Sequence, residues 1–211
     1  SYSIPEKDEY TGVVRVEFRQ NNSGRWTKET KVAPSKAFKA AKWDYVILQQ
    51  EAAKSGQDST YGKLNSLTAA VQKQVGDATL FWHMGWSFRR QSDFDGFENY
   101  KYNEKVMYKA IVENTLKHVM RNNEIMGLIP TATTIQNLRT SSLGDTLTSD
   151  GHHLLDSYGD YTAAVTWACY VSGEDANKVT YRPDSVADHF DEIAQSVNNA
   201  LKNPYTITPC N

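Results

Sequence analysis

Cysteine is nearly absent. Only Cys169 and Cys210 occur among 211 residues, which excludes a disulfide scaffold and a cysteine-rich zinc site. Cys169 lies in the apolar run 163–170 and is expected to be a buried thiol, while Cys210 is expected to be a tail residue. No apolar run approaches the ~18 residues that a membrane-spanning helix needs. There is no basic excess either: 23 Lys and Arg face 25 Asp and Glu, for a net charge of -2. That argues against a broad nucleic-acid footprint and against an anionic membrane surface. With 39% hydrophobic and 23% charged residues, the chain is not disordered and is long enough to bury a core. No signal peptide opens it, which a mature secreted protein would also lack.

Aromatic residues, by contrast, are plentiful, with 5 Trp and 12 Tyr. Tryptophan-rich pockets suit flat, partly apolar ligands such as sugars, although Trp43 and Trp167 are expected to pack the core. Residues 13–18 alternate like a half-exposed strand, 21–24 carry a turn signal, and 25–30 fit the returning strand of a β-hairpin. Pro34 starts a short helix through Ala41. Residues 44–49, 78–82 and 125–129 read as short buried strands, the first of them buried on both faces. Between and after them, helices are expected over 60–75, 101–122, 131–139, 157–172 and 184–202. Residues 84–100 and 140–156 are expected to be loops.

Alternating strands and helices imply a parallel sheet in one α/β domain. Ligands of such sheets sit at the carboxyl ends of the strands. That places Gln49-Gln50-Glu51, the loop from His83 to Trp86, and the segment Asp150 to His153 on one rim.

The segment Ser149-Asp150-Gly151-His152-His153-Leu154 is the sharpest feature on that rim. Asp150 and His153, three residues apart in a tight turn, can present both side chains toward one point, the carboxylate orienting an imidazole for general-base work. The same letters also fit a helix-leading turn with incidental histidines, or a metal site made by Asp150, His152 and His153. An amide of Gln49 or Gln50 could donate to an oxyanion. His83 could touch a ligand and Trp86 could wall a pocket, with Phe88 and Tyr100 as further loop aromatics for an acceptor site.

Taken together, the blocks 43–50 (WDYVILQQ), 81–86 (FWHMGW), 147–154 (LTSDGHHL) and 161–167 (YTAAVTW) resemble the SGNH/GDSL-type hydrolase superfamily. They are more closely similar to a bacterial branch known mainly as a domain of unknown function, with a Leu-Gln-Gln and an Asp-Gly-x-His block. The resemblance runs from about residue 15 to about residue 175. It implies a flavodoxin-like three-layer α/β/α sandwich with a parallel sheet, preceded here by the β-hairpin. It implies a serine esterase without metal or organic cofactor, acting on a small acyl group of a carbohydrate, in a secreted or periplasmic setting. His153 would be the base, Asp150 its orienting partner, and Gln49 or Gln50 would stand where the superfamily has an oxyanion-hole Asn. His83, Trp86 and Glu51 would meet the substrate.

One part of that pattern is missing. The superfamily carries its nucleophilic serine in a Gly-Asp-Ser or Gly-Asn-Ser block after its first strand, and nothing before Trp43 matches. Gly144-Asp145-Thr146 imitates it by letters only, in the wrong place and with threonine. In this fold the first strand lies mid-sheet, and its absence would leave unfavourable open strand edges. The expectation is that residues 1–211 are the C-terminal portion of a longer domain, completed by an N-terminal companion segment or polypeptide. The competing expectation is a non-catalytic carbohydrate-binding or interaction domain that keeps the fold.

Overall fold

The computed structural model describes residues 17–22, 25–30 and 34–210. Residues 1–16 of the expected entry and first strand, and 23–24 of the expected turn, lie outside the described residues. Strands β1 (Glu17–Asn22) and β2 (Arg25–Thr30) form the expected antiparallel hairpin. Its ladder reaches the pair Asn22 and Arg25, so Asn21 and Asn22 are strand residues rather than turn residues. Helix α1 (Pro34–Lys39) opens on its proline, whose missing N–H has no partner to lose there. Trp43 is half-buried, its indole N–H donating to the Ala37 carbonyl at 3.1 Å.

The second sheet is parallel, in the order β3 (Tyr45–Leu48), β4 (Thr79–His83), β5 (Ile125–Ile129). Helix α2 (Leu64–Val75) links β3 to β4 and α3 (Glu104–Asn114) links β4 to β5. Helix α3 starts three residues later than the periodicity implied. Lys101 and Tyr102 hold φ of 57° and 52°, which helix excludes, and Asn103 caps the true start by accepting from the N–H groups of Lys105 and Val106. A single wider turn, Thr115–Val119, prolongs it. After β5 come α4 (Thr131–Leu138), α5 (Tyr158–Ser172) and α6 (Phe190–Lys202).

Alternation along the strands separates the two sheet faces. Trp82 and Leu128 point to the face covered by α2 and α3, in one cluster with Leu64, Met107 and Ile111. Phe81 and His83 point to the other, where Tyr170 and Trp167 of α5 meet them edge-on at 5.3 and 4.9 Å. The architecture is therefore helix, sheet, helix.

Two expectations need correction. Strand β3 is not buried on both faces. It is half-buried, Tyr45 is 45% exposed, and no strand among the described residues pairs with its outer edge. Residues 84–100 are the expected loop apart from the short turn Phe97–Tyr100, but the aromatic residues it was expected to offer a ligand are not all at the surface. Met84, Phe88, Phe97 and Tyr100 are each at most 2% exposed, so Phe88 and Tyr100 are core residues and cannot form an acceptor site. The polar letters misled because the buried residues follow neither a helical nor a strand period. Cys169 is buried as expected, but Cys210 is buried too, its N–H held by Thr140 Oγ1 at 2.8 Å.

Candidate functional site

The turn after α4 is built around Gly151. Leu147 and Leu154, 0% and 5% exposed, root its two legs in the core. The Ser149 N–H donates to the His153 carbonyl at 2.9 Å, and Thr148 bridges Leu154. Asp150 Oδ1 accepts the N–H groups of His152 and His153 at 2.9 and 2.8 Å, the bonding that makes aspartate a turn residue. Gly151 holds φ +96° at the tip, and a Cβ there would sit 2.9 Å from Ser92 Oγ. Its carbonyl accepts from Arg89 N–H at 2.9 Å.

These bonds leave Asp150 Oδ2 free to meet His153 Nδ1, at 2.7 Å. The His153 bond, then the two backbone N–H groups, hold the Asp150 carboxyl well below the usual carboxylate range. An ionised Asp150 keeps the His153 proton on Nδ1. Nε2 is then a bare lone pair on an exposed ring, with no partner among the described residues. His152 takes a different course. Its ring lies against Phe88 and Phe94 at 5.0 and 4.8 Å, and burial pushes its pKa down. It is a packing residue of the turn, and among the described residues no group of three or more His, Cys, Asp and Glu is placed to hold a metal ion.

Beside the turn lies a small open cleft of about 50 Å³ at the carboxyl ends of β3 and β4, lined by Gln49, Gln50, His83, Trp86 and His152 among others. Two of the three expected rim segments thus meet directly, and the third contributes His152. Trp86 also donates its indole N–H to the His152 carbonyl at 2.7 Å. Glu51 does not line the cleft. Its Oε1 accepts from Ala53 N–H at 3.0 Å and caps the turn Ala52–Lys54.

The two glutamines differ. Gln50 is used at both ends: Nε2 donates to Thr60 Oγ1 at 3.2 Å, and Oε1 accepts from the Glu51 N–H at 2.9 Å. Gln49 spends only Oε1, which stands 2.6 Å from His83 Nδ1. His83 is 5% exposed, and desolvation lowers its pKa to about 4. Its Nε2 is buried without a partner.

Sequence reasoning missed the clamp beneath the site. Arg139, 8% exposed, donates to Ser87 Oγ and the Ser87 carbonyl at 2.8 and 3.0 Å. Its Nε stands 2.9 Å from Asp145 Oδ1, an ion pair off hydrogen-bond alignment. Asp145 Oδ2 accepts the Arg90 N–H at 2.8 Å. The arginine therefore ties the Trp86 loop to the segment leading into the Asp150 turn. The Gly144-Asp145-Thr146 block is structural.

The family described as a domain of unknown function (DUF4886) matches residues 16–201. The chain belongs to the DUF4886 family. A solved DUF4886 family protein from Bacteroides uniformis ATCC 8492 is 31% identical to it, with a TM-score of 0.86. The match covers 91% of this chain and 75% of that one. No curated protein matches this DUF4886 chain.

Proposed function

We propose that this DUF4886 chain carries the base and the oxyanion donors of an SGNH-type serine ester hydrolase with a flavodoxin-like sheet, whose serine comes from a segment or chain outside this sequence. The observation that carries the reading is the Asp150–His153 pair, 2.7 Å apart on an exposed turn beside a cleft at the sheet's carboxyl rim. The outer edge of β3, unpaired among the described residues, supports a further strand there, next to Gln49. The solved relative also has a quarter of its length outside the match.

In the reaction, serine Oγ bonds to the ester carbonyl carbon and its proton passes to His153 Nε2. Charge collects on the carbonyl oxygen, where amide N–H donors receive it. The tetrahedral carbon expels the alcohol oxygen, which takes the proton from Nε2. Water then repeats the sequence on the acyl-serine, Nε2 removing its proton, and the acid leaves. Asp150 stays ionised throughout and steadies the imidazolium. A cleft walled by Trp86 suits a small acyl group on a carbohydrate, in a secreted or periplasmic setting.

The test is hydrolysis of p-nitrophenyl acetate and acetylated sugars by the purified protein together with any companion polypeptide identified by intact mass. Burst release of p-nitrophenol lost in His153→Ala supports the reading. The same hydrolysis in His153→Ala, or sugar binding with no turnover at all, overturns it, the latter in favour of a binding domain.

A further inference from the structure

His83 is a buried polar group of the cleft, 5% exposed, and the base-and-turn chemistry above does not use it. It closes β4 and is walled by Trp167 at 4.9 Å and Trp86 at 6.2 Å between ring centroids. Among the described residues no charged side chain makes an ion pair or hydrogen bond with it. Its one hydrogen bond among the described residues runs from Nδ1 to Gln49 Oε1 at 2.6 Å. An amide oxygen only accepts, so Nδ1 must carry the ring proton. Gln49 itself is exposed at the end of β3. An exposed glutamine turns freely among rotamers unless something holds it.

We propose that His83 is a positioning residue: its Nδ1–H fixes the Oε1 end of Gln49, so that the Nε2–H₂ end is presented to the cleft as its oxyanion donor. Gln50 cannot serve, since Thr60 and the Glu51 N–H occupy both ends of its amide. The chemical role rests on the ester-hydrolase reading, but the pairing does not. A preset donor spares the amide reorientation during reaction, which is where such donors gain their effect. The group that this amide recognises is a carbonyl oxygen gaining negative charge. The buried lone pair on His83 Nε2 also follows from the tautomer, because the proton is committed to the glutamine.

The deciding experiment is NMR on the ¹⁵N-labelled chain. His83 should show the Nδ1–H tautomer, and the Gln49 side-chain amide should give two protons dispersed from free-amide positions. In His83→Leu those signals should collapse to free-amide positions. In His83→Asn, which keeps a donor near Nδ1, they should stay dispersed. Should His83→Leu fail to fold, Gln49→Leu at an exposed position replaces it, and the His83 Nδ1 proton should then move upfield. An Nε2–H tautomer, or a Gln49 amide unchanged in His83→Leu, overturns the pairing. On p-nitrophenyl acetate, with the companion polypeptide that supplies the serine present, His83→Leu should lower kcat about tenfold or more with KM within about twofold, and His83→Asn should restore most of it. A rise in KM alone overturns the positioning role. Absence of any hydrolysis by the wild type assayed together with its serine-bearing companion polypeptide retires the ester reading and leaves the amide signals to decide the pairing.

Discussion

Trp86 donates its indole N–H to the carbonyl oxygen of His152 at 2.7 Å, joining the loop after β4 to the turn that carries Asp150 and His153. The ring is therefore both wall and tether. Trp86→Phe keeps the wall and loses the tether, whereas Trp86→Ala loses both. The expected result is a lowered kcat in Trp86→Phe with little change in KM, and an additional rise in KM in Trp86→Ala. Michaelis profiles of the two variants check it. An unchanged KM in Trp86→Ala would remove the ring from the substrate site.

Asp150 acts on both the turn and the base. Asp150→Asn puts an amide where Oδ2 now accepts from His153 Nδ1, which favours the wrong tautomer. Activity should fall about 10³-fold or more, as in triads whose orienting acid is lost, while the far-UV spectrum stays native. Its sign with pH follows from the lowered carboxyl pKa. The bond contributes fully above the ordinary carboxylate value and weakens as pH falls through the folded-state value.

Gly151 has no adequate substitute. Alanine would meet both the positive φ and Ser92 Oγ. Gly151→Ala should destabilise by about 1–3 kcal/mol, measured by urea denaturation. Adding Ser92→Gly should relieve the clash and recover only part of the loss, because the backbone strain remains.

His83 ties stability to pH. Its folded-state pKa near 4 lies below the unfolded value near 6.5, so between these the unfolded chain binds more protons. Stability should rise with pH across that window, by on the order of 3 kcal/mol in total. The slope should be flatter in His83→Asn than in the wild type when denaturation is compared at pH 7 and pH 4.5. Equal slopes would mean that His83 is not held neutral.

Arg139→Met should be among the most damaging core substitutions. It leaves Asp145 with only the looser ion pair to Arg90 at 3.9 Å, and the Ser87 carbonyl without its donor. A loss of about 3–5 kcal/mol is expected, with the double variant Arg139→Met, Asp145→Leu less destabilised than the single one. Thermal denaturation of the two decides it.

The strands at 78–82 and 125–129 and the helices at 131–139 and 157–172 were legible because each is marked by a local period, and β4 and β5 are shifted by at most one residue. The start of α3 was not, since two left-handed residues and an asparagine cap outweighed a continuing apolar pattern. The burial within 84–100 escaped the pattern because Met84, Phe88, Phe97 and Tyr100 join a cluster with Trp82, Met107 and Ile111, contacts set by the fold and not by a local period.

The sequence by itself marked Asp150 and His153 as a candidate pair, because three residues around a glycine are short enough for the two side chains to meet; which histidine does so was left to the structure. Only the tertiary structure decided which glutamine is free, that His83 holds it, and that Trp86 is tied to the turn. Those contacts join segments 34 to 66 residues apart, and their geometry exists only once β3, β4 and the turn are packed on one rim. It also decided that no strand among the described residues pairs with the outer edge of β3, because strand pairing is a property of neighbours in space and not of the strand's own letters.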